Sequence, residues 1–178
     1  MKILGVTGWS GAGKTTLLVK LIPLLTARGL RVATLKHAHH AFDVDVPGKD
    51  SWAHRQAGAC EVIVASRRRS AQIRETPDEA EPRLADLLRR LGPCDLVLVE
   101  GFKREPHPKL EVFRAANDKP PLFLHDATIV AVAADAAFAQ AHAPVFPLDD
   151  AAAIAAAIPQ LAREHGAVLA LLDAHGAA

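Results

Sequence analysis

The octet Gly8-Trp9-Ser10-Gly11-Ala12-Gly13-Lys14-Thr15 follows directly on the apolar run Ile3-Leu4-Gly5-Val6, and its types and spacing are those of a Walker A phosphate-binding loop. Phosphate binding of this kind needs successive backbone N–H groups that converge on one anion, a curvature that glycines permit at the tight points, and a helix whose positive end follows. Gly8, Gly11 and Gly13 supply the turns, and Thr16-Leu17-Leu18-Val19 continues as the first turns of the helix. Lys14 is expected to reach the outer phosphates and Thr15 to place its hydroxyl on Mg²⁺. The whole stretch from Gly8 to Thr16 is therefore a nucleotide-binding candidate.

A second segment carries chemistry of a different kind. Lys36-His37-Ala38-His39-His40-Ala41-Phe42-Asp43-Val44-Asp45-Val46-Pro47-Gly48-Lys49-Asp50-Ser51 packs cations, imidazoles and carboxylates into one loop after an apolar strand. Polar loops at the C-terminal ends of parallel strands are where α/β sheets bind ligands. His37, His39, His40, Asp43 and Asp45 include ligand types for zinc or manganese. A switch-like segment over the nucleotide fits better, with Asp43, Asp45 or Asp50 near Mg²⁺ and with Lys36, Lys49 and the histidines facing phosphates, a substrate or a partner.

Further along, Leu96-Val97-Leu98-Val99-Glu100-Gly101-Phe102-Lys103 reads as a buried strand ending in a carboxylate, the place from which phosphate-loop proteins reach Mg²⁺. Glu100 stands where Asp is usual, so direct and water-mediated contact are both open. Lys103, Arg104, His107 and Lys109 follow in a Pro-punctuated loop, able to hold a second anion or simply to be solvated. Arg67-Arg68-Arg69 is a basic run suited to solvent, an anion or a subunit contact. Asp135, just past Val132-Ala133-Ala134, stands where such proteins recognise a base, and a carboxylate there can accept the N1–H and N2–H of guanine. Asn117-Asp118-Lys119 reads as a turn before Pro120-Pro121.

These residues need a scaffold, and the chain supplies one by alternating short apolar runs with helical patterns, the signature of βαβ units. Strands are expected near Lys2–Thr7, Arg31–Leu35, Glu61–Ala65, Leu96–Val99, Leu110–Phe113, Thr128–Ala133 and Pro144–Phe146, mostly buried on both faces. Helices are expected over Lys14–Arg28 with a kink or break at Pro23, and over Asp50–Ala57, Pro77–Leu91 and Asp149–Glu164. The alanine-rich tail from His165 reads as a terminal helix packed on the body. At 178 residues the chain is expected to be one domain, residues 1–178. Twenty-one Lys and Arg against 20 Asp and Glu leave a net charge of +1, which gives no global signal for nucleic acid or an anionic membrane. No stretch is long and apolar enough to span a bilayer. Cys60 and Cys94 read as buried thiols in a reducing compartment, which makes the cytoplasm the expected location. The fold class is α/β, a P-loop NTPase-type three-layer sandwich whose mostly parallel sheet is flanked by helices.

Gly8 to Thr15, the loop from Thr34-Leu35-Lys36-His37 to Lys49-Asp50-Ser51, and Val99-Glu100-Gly101-Phe102-Lys103 together resemble the molybdopterin-guanine dinucleotide biosynthesis protein B family. The central loop carries the resemblance, because a phosphate loop alone is shared by many unrelated NTPases. It spans roughly Met1 to Asp135 and implies a homodimeric, Mg²⁺-dependent GTP-binding adaptor with only slow GTP hydrolysis. The partners it implies are molybdopterin and the molybdenum cofactor guanylyltransferase that attaches GMP to it. Trp9 stands where the related cell-division and partitioning ATPases carry a second lysine, so their intersubunit catalytic group is missing. The residues alone leave open a stand-alone P-loop small-molecule kinase or a dethiobiotin-synthetase-like ligase.

Overall fold

The computed structural model describes residues 1–38, 42–76, 80–138 and 141–176. Contacts group the chain into two compact units, one of Met1–His37 with Arg83–Ala178 and one of Ala38–Pro82.

The larger unit is built on a sheet of order β2-β5-β1-β6-β7-β8, all parallel, from β1 (Lys2–Thr7), β2 (Val32–Lys36), β5 (Leu96–Glu100), β6 (Lys109–Phe113), β7 (Ile129–Ala134) and β8 (Val145–Pro147). A two-residue strand β9 (Arg163–Glu164) pairs antiparallel with Lys2 and Ile3 of β1, and β6 takes over from Gly5 to Thr7. The sheet is therefore mostly parallel, as expected. β1, β5, β6 and β7 are buried along almost their whole length. β2 is not, because it lies at the sheet edge with Thr34 and Lys36 exposed.

Two helical layers cover the sheet. On one face, Leu17, Leu18, Leu21 and Leu25 of α1 (Lys14–Thr26) and Ile154 and Ile158 of α4 (Ala151–Leu161) pack with Leu4, Val6, Leu98, Leu110 and Val112. On the other, Leu84 and Leu88 of α3 (Leu84–Arg89) and Val168 and Leu172 of α5 (His165–Gly176) pack with Ile3, Val97 and Val99. Burying these aliphatic side chains stabilises the unit by about 1.5–3 kcal/mol each on transfer grounds. α1 runs through Pro23 without a break. The carbonyl that loses its donor belongs to Val19, one turn earlier and 66% exposed, where water can satisfy it. Of the expected helix Pro77–Leu91, residues 77–79 lie outside the described residues; in the rest the helix starts only at Leu84, because Pro82 disfavours helix at the residue before it and Arg83 is still extended. α4 also starts late, at the Asp150 cap whose side chain accepts from the Ala153 N–H at 2.9 Å. The terminal helix is present as expected.

The smaller unit holds α2 (Asp50–Gln56), β3 (Glu61–Ala65) and β4 (Ser70–Arg74). β3 is not a strand of the parallel sheet: it pairs antiparallel with β4, and only Val62 along it is buried. Arg67, Arg68 and Arg69 form the exposed turn of that hairpin. Cys60 is exposed and Cys94 half-buried, both free thiols, so the expectation of two buried thiols fails at Cys60. No helix among the described residues is long and apolar enough to cross a membrane.

Candidate functional site

β1 delivers the chain into the phosphate loop, and three glycines shape it, Gly8 at φ 138°, Gly11 at φ 79° and Gly13 at φ 95°. At Gly8 the constraint is also steric, since a Cβ there would lie 2.3 Å from the Val112 carbonyl oxygen of the neighbouring strand. Lys14 folds back over the loop and donates to the carbonyls of Gly8 at 3.1 Å and Trp9 at 3.0 Å. The loop is braced from outside by contacts that the sequence did not announce. Asn117 Nδ2 donates to the Ser10 carbonyl at 3.1 Å, and the Trp9 indole N–H donates to the Pro120 carbonyl at 2.8 Å.

β5 brings its terminal carboxylate to the same place. Thr15 Oγ1 donates to Glu100 Oε1 at 2.9 Å. Lys36, in register with Glu100 on the adjacent strand, puts its Nζ 3.8 Å from the same oxygen. Lys103 places its Nζ 5.1 Å from the centre of the Trp9 ring, a cation–π arrangement. Burial pushes the Lys14 ammonium below its ordinary pKa, and the positive fields of Lys103 and Lys36 add to that while Glu100 opposes it. Lys36 pairs with the Glu100 carboxylate while Lys14 and Lys103 add their fields nearby, an excess of positive charge suited to a polyphosphate. The turn after β5 is tight: Gly101 has φ 98°, a Cβ there would fall 2.7 Å from His37 Cβ, and Phe102 itself adopts φ 50° beside the His37 ring at 4.7 Å.

A cavity of about 760 Å³ opens between Lys20, Arg114, Asp135, Phe138, Phe146 and Asp149. Its size lies within the usual range for small-ligand sites. Asp135 accepts the Ala115 N–H at 2.7 Å and sits 3.8 Å from Arg114 Nη1. A smaller pocket of about 180 Å³ lies on the Trp9 side of the loop, where Thr7, Lys103, Leu122 and Asp126 contribute to its wall.

The loop after β5 is buried where it approaches β6, so of the two roles the sequence left open, a second anion site or solvated groups, simple solvation does not hold for His107 and Lys109. His107 is fully buried, and burial, reinforced by Lys109, pushes its imidazole down to about 3. Lys109, also enclosed, pairs with Asp126 at 3.2 Å and bonds Thr128, while Glu111 accepts the N–H groups of Leu122 at 2.7 Å and Phe123 at 2.9 Å. These three residues line one face of the β6 approach and fix the segment that ends in the smaller pocket.

In the smaller unit, Arg55 gathers three carboxylates: Asp43 at 2.8 Å, Asp45 at 3.0 Å and Glu75 at 2.6 Å. Asp45 also accepts from Ser51 Oγ at 2.7 Å, and this bond, with Arg55, holds its carboxyl below the ordinary range even though burial opposes it. Asp50 occupies the first turn of α2 after Lys49. The structure therefore brings Lys14, Thr15, Lys36, Glu100 and Lys103 together, and engages Asp43 and Asp45 inside the other unit. His39 and His40 lie outside the described residues. No group of three or more His, Cys, Asp or Glu able to hold a metal occurs among the described residues.

Residues 3–135 match the family model of MobB, molybdopterin guanine dinucleotide synthesis protein B. The chain belongs to the MobB family. This MobB chain is 51% identical over 136 residues to the molybdopterin-guanine dinucleotide biosynthesis adapter protein of Escherichia coli strain K12, covering 75% of its own length and 78% of that protein's. It is 50% identical over 121 residues to the adapter protein of the same description from Haemophilus influenzae, covering 66% of each chain. Among solved structures it resembles the crystal structure of molybdopterin-guanine biosynthesis protein B at 33% identity with a TM-score of 0.67, covering 89% of this chain and 99% of that one. The fold is thus a P-loop NTPase-type sandwich shared with MobB structures, as the sequence led us to expect.

Proposed function

We propose that this MobB chain is a GTP-binding adapter in molybdopterin-guanine dinucleotide biosynthesis, presenting Mg²⁺-bound GTP to a molybdenum cofactor guanylyltransferase that attaches GMP to molybdopterin. The observation that carries it is the gathering of Lys14 and Lys36 about the Thr15–Glu100 pair with Lys103 nearby, together with a cavity lined in part by Arg114 and Asp135 that is large enough for a nucleoside. The residues present fit both groups. Gly8, Gly11 and Gly13 give the loop the left-handed turns a phosphate cradle needs, and at Gly8 a side chain would be driven against Val112; a threonine hydroxyl and a carboxylate are the hard oxygen donors that Mg²⁺ accepts. Thr15 and Glu100 would hold the metal, directly or through water, and the bound ion would neutralise charge on the phosphates. Lys14, now resting on loop carbonyls, is free to exchange them for phosphate oxygens, with Lys36 and Lys103 adding charge around the outer phosphate. Asp135 would accept from the guanine edge.

Slow hydrolysis fits the fate of Trp9, whose indole N–H is spent on Pro120 and so offers nothing to a transition-state phosphate. We place the adapter in the cytoplasm as a homodimer, in keeping with its family and its free thiols. The test is reconstitution with the transferase, GTP and molybdopterin. Guanine dinucleotide formation should rise on adding the adapter and should not rise with Lys14→Ala. Competition of GTP and ATP for a fluorescent analogue should favour GTP, and Asp135→Ala should remove the preference. Acceptor-dependent phosphoryl transfer without the transferase would replace this reading with the small-molecule kinase.

A further inference from the structure

The smaller pocket beside the phosphate loop has no part in the nucleotide reading above. Its apolar wall comes from Trp9, Pro120, Pro121 and Leu122, surfaces of no value to a phosphate. Its polar groups sit at defined points. Thr7, at the last position of β1, is 1% exposed, yet its hydroxyl has no partner among the described residues. A buried hydroxyl left unpaired is costly, and such groups point to a ligand or an ordered water. Asp126 lines the same space, and its carboxylate accepts from Lys109, the Thr128 N–H and the Thr128 hydroxyl, three of the roughly four hydrogen bonds a carboxylate can take. Lys103 stands at the rim over the Trp9 ring, between this pocket and the lysines around Glu100. A volume of about 180 Å³ corresponds to about six waters at about 30 Å³ each, room for a flat one- or two-ring heterocycle and not for a nucleotide.

We propose that this pocket receives the pterin ring of the second substrate, its N–H edge read by Thr7 and Asp126 between the proline and leucine walls and its phosphate held by Lys103. This rests on the adapter reading above and adds to it that the adapter itself holds the pterin beside the outer phosphate of GTP. A two-ring heterocycle with ring N–H donors matches the acceptors on offer. The phosphate carried on its side chain matches the Lys103 ammonium at the rim.

The experiment uses the full chain carrying Trp52→Phe, which leaves Trp9 as the one tryptophan of the sequence. Neopterin and neopterin monophosphate are titrated against Trp9 fluorescence, and a fluorescent GTP analogue is titrated in parallel. Saturable quenching is expected, about tenfold tighter for the monophosphate than for neopterin, as loss of one charge-assisted contact implies. Thr7→Val should weaken both probes about tenfold while the unfolding midpoint holds or rises, because an apolar isostere replaces an unpaired buried hydroxyl. Lys103→Ala should erase the difference between the probes. If the hydroxyl is merely structural, Thr7→Val lowers the midpoint and leaves quenching unchanged, and the proposal fails. It fails equally if neither probe quenches while the GTP analogue binds normally, an outcome that leaves the nucleotide reading standing. Quenching with no GTP-analogue binding would do the reverse.

Discussion

Replacing His107 by leucine should make the protein less sensitive to acid. His107 is wholly buried against the β1–β6 junction, so close to Gly5 that a Cβ on that glycine would collide with its ring, and burial lowers its pKa to about 3. In the unfolded chain an imidazole titrates near its ordinary value of about 6.5. As pH falls below about 6.5 the unfolded state takes up a proton that the folded state refuses until about 3, so the stability this group permits is complete above about 6.5 and is lost on the way down. Each pH unit in that window is worth about 1.36 kcal/mol, and the interval from about pH 8 to about pH 4.5 contains close to two effective units, or about 2–3 kcal/mol. Urea unfolding of wild type and His107→Leu at both pH values measures it. Leucine also changes packing, which shifts both values of the variant alike, so the quantity to compare is the loss between the two pH values. The wild type should lose about 2–3 kcal/mol more than the variant. Parallel losses would refute the reasoning and mean that the imidazole takes up its proton in the folded protein.

Gly8→Ala should lower GTP-analogue affinity more than tenfold and depress the unfolding midpoint, since it combines a left-handed backbone costing about 1–3 kcal/mol with a Cβ driven against Val112; unchanged binding would remove Gly8 from the cradle. Lys109→Met should cost about 2 kcal/mol in urea unfolding by leaving Asp126 without its ammonium, and adding Asp126→Asn should recover part of it; additive losses would show that the pair is not coupled. Arg55→Leu should speed amide exchange in residues 42–76, because three carboxylates then face one another uncompensated, and should leave GTP-analogue binding within a few-fold. Uniform protection in that segment would show that Arg55 does not hold it.

The phosphate loop was legible because all its information is local: eight adjacent residues dictate the turn, the lysine and the hydroxyl. β5, β6 and β7 were legible as short apolar runs, which central parallel strands must be. Glu61–Ala65 defeated the same argument, since a run of four apolar residues does not reveal whether its partners lie in the main sheet or in a hairpin, and Ser70–Arg74 carries only Ile73 as a large apolar residue. His107, Lys109 and Glu111 were read as loop groups or passed over. Their spacing of two, with Pro108 and Leu110 between them and Val112 after, is strand periodicity with polar residues on one face, and that signal was available. The braces from Asn117 and Pro120 to the loop were not, because they join residues more than a hundred positions apart through groups common to any turn.

The hydrophobic clusters of the larger unit draw their members from residues before 38 and after 82. Sequence drift within 38–82 therefore meets little resistance from the packing that keeps the nucleotide fold intact. What holds residues 38–82 to their sequence, the loop that carries the family resemblance included, is the chemistry of that segment itself and its own Arg55 ion pairs, not the core of the nucleotide fold.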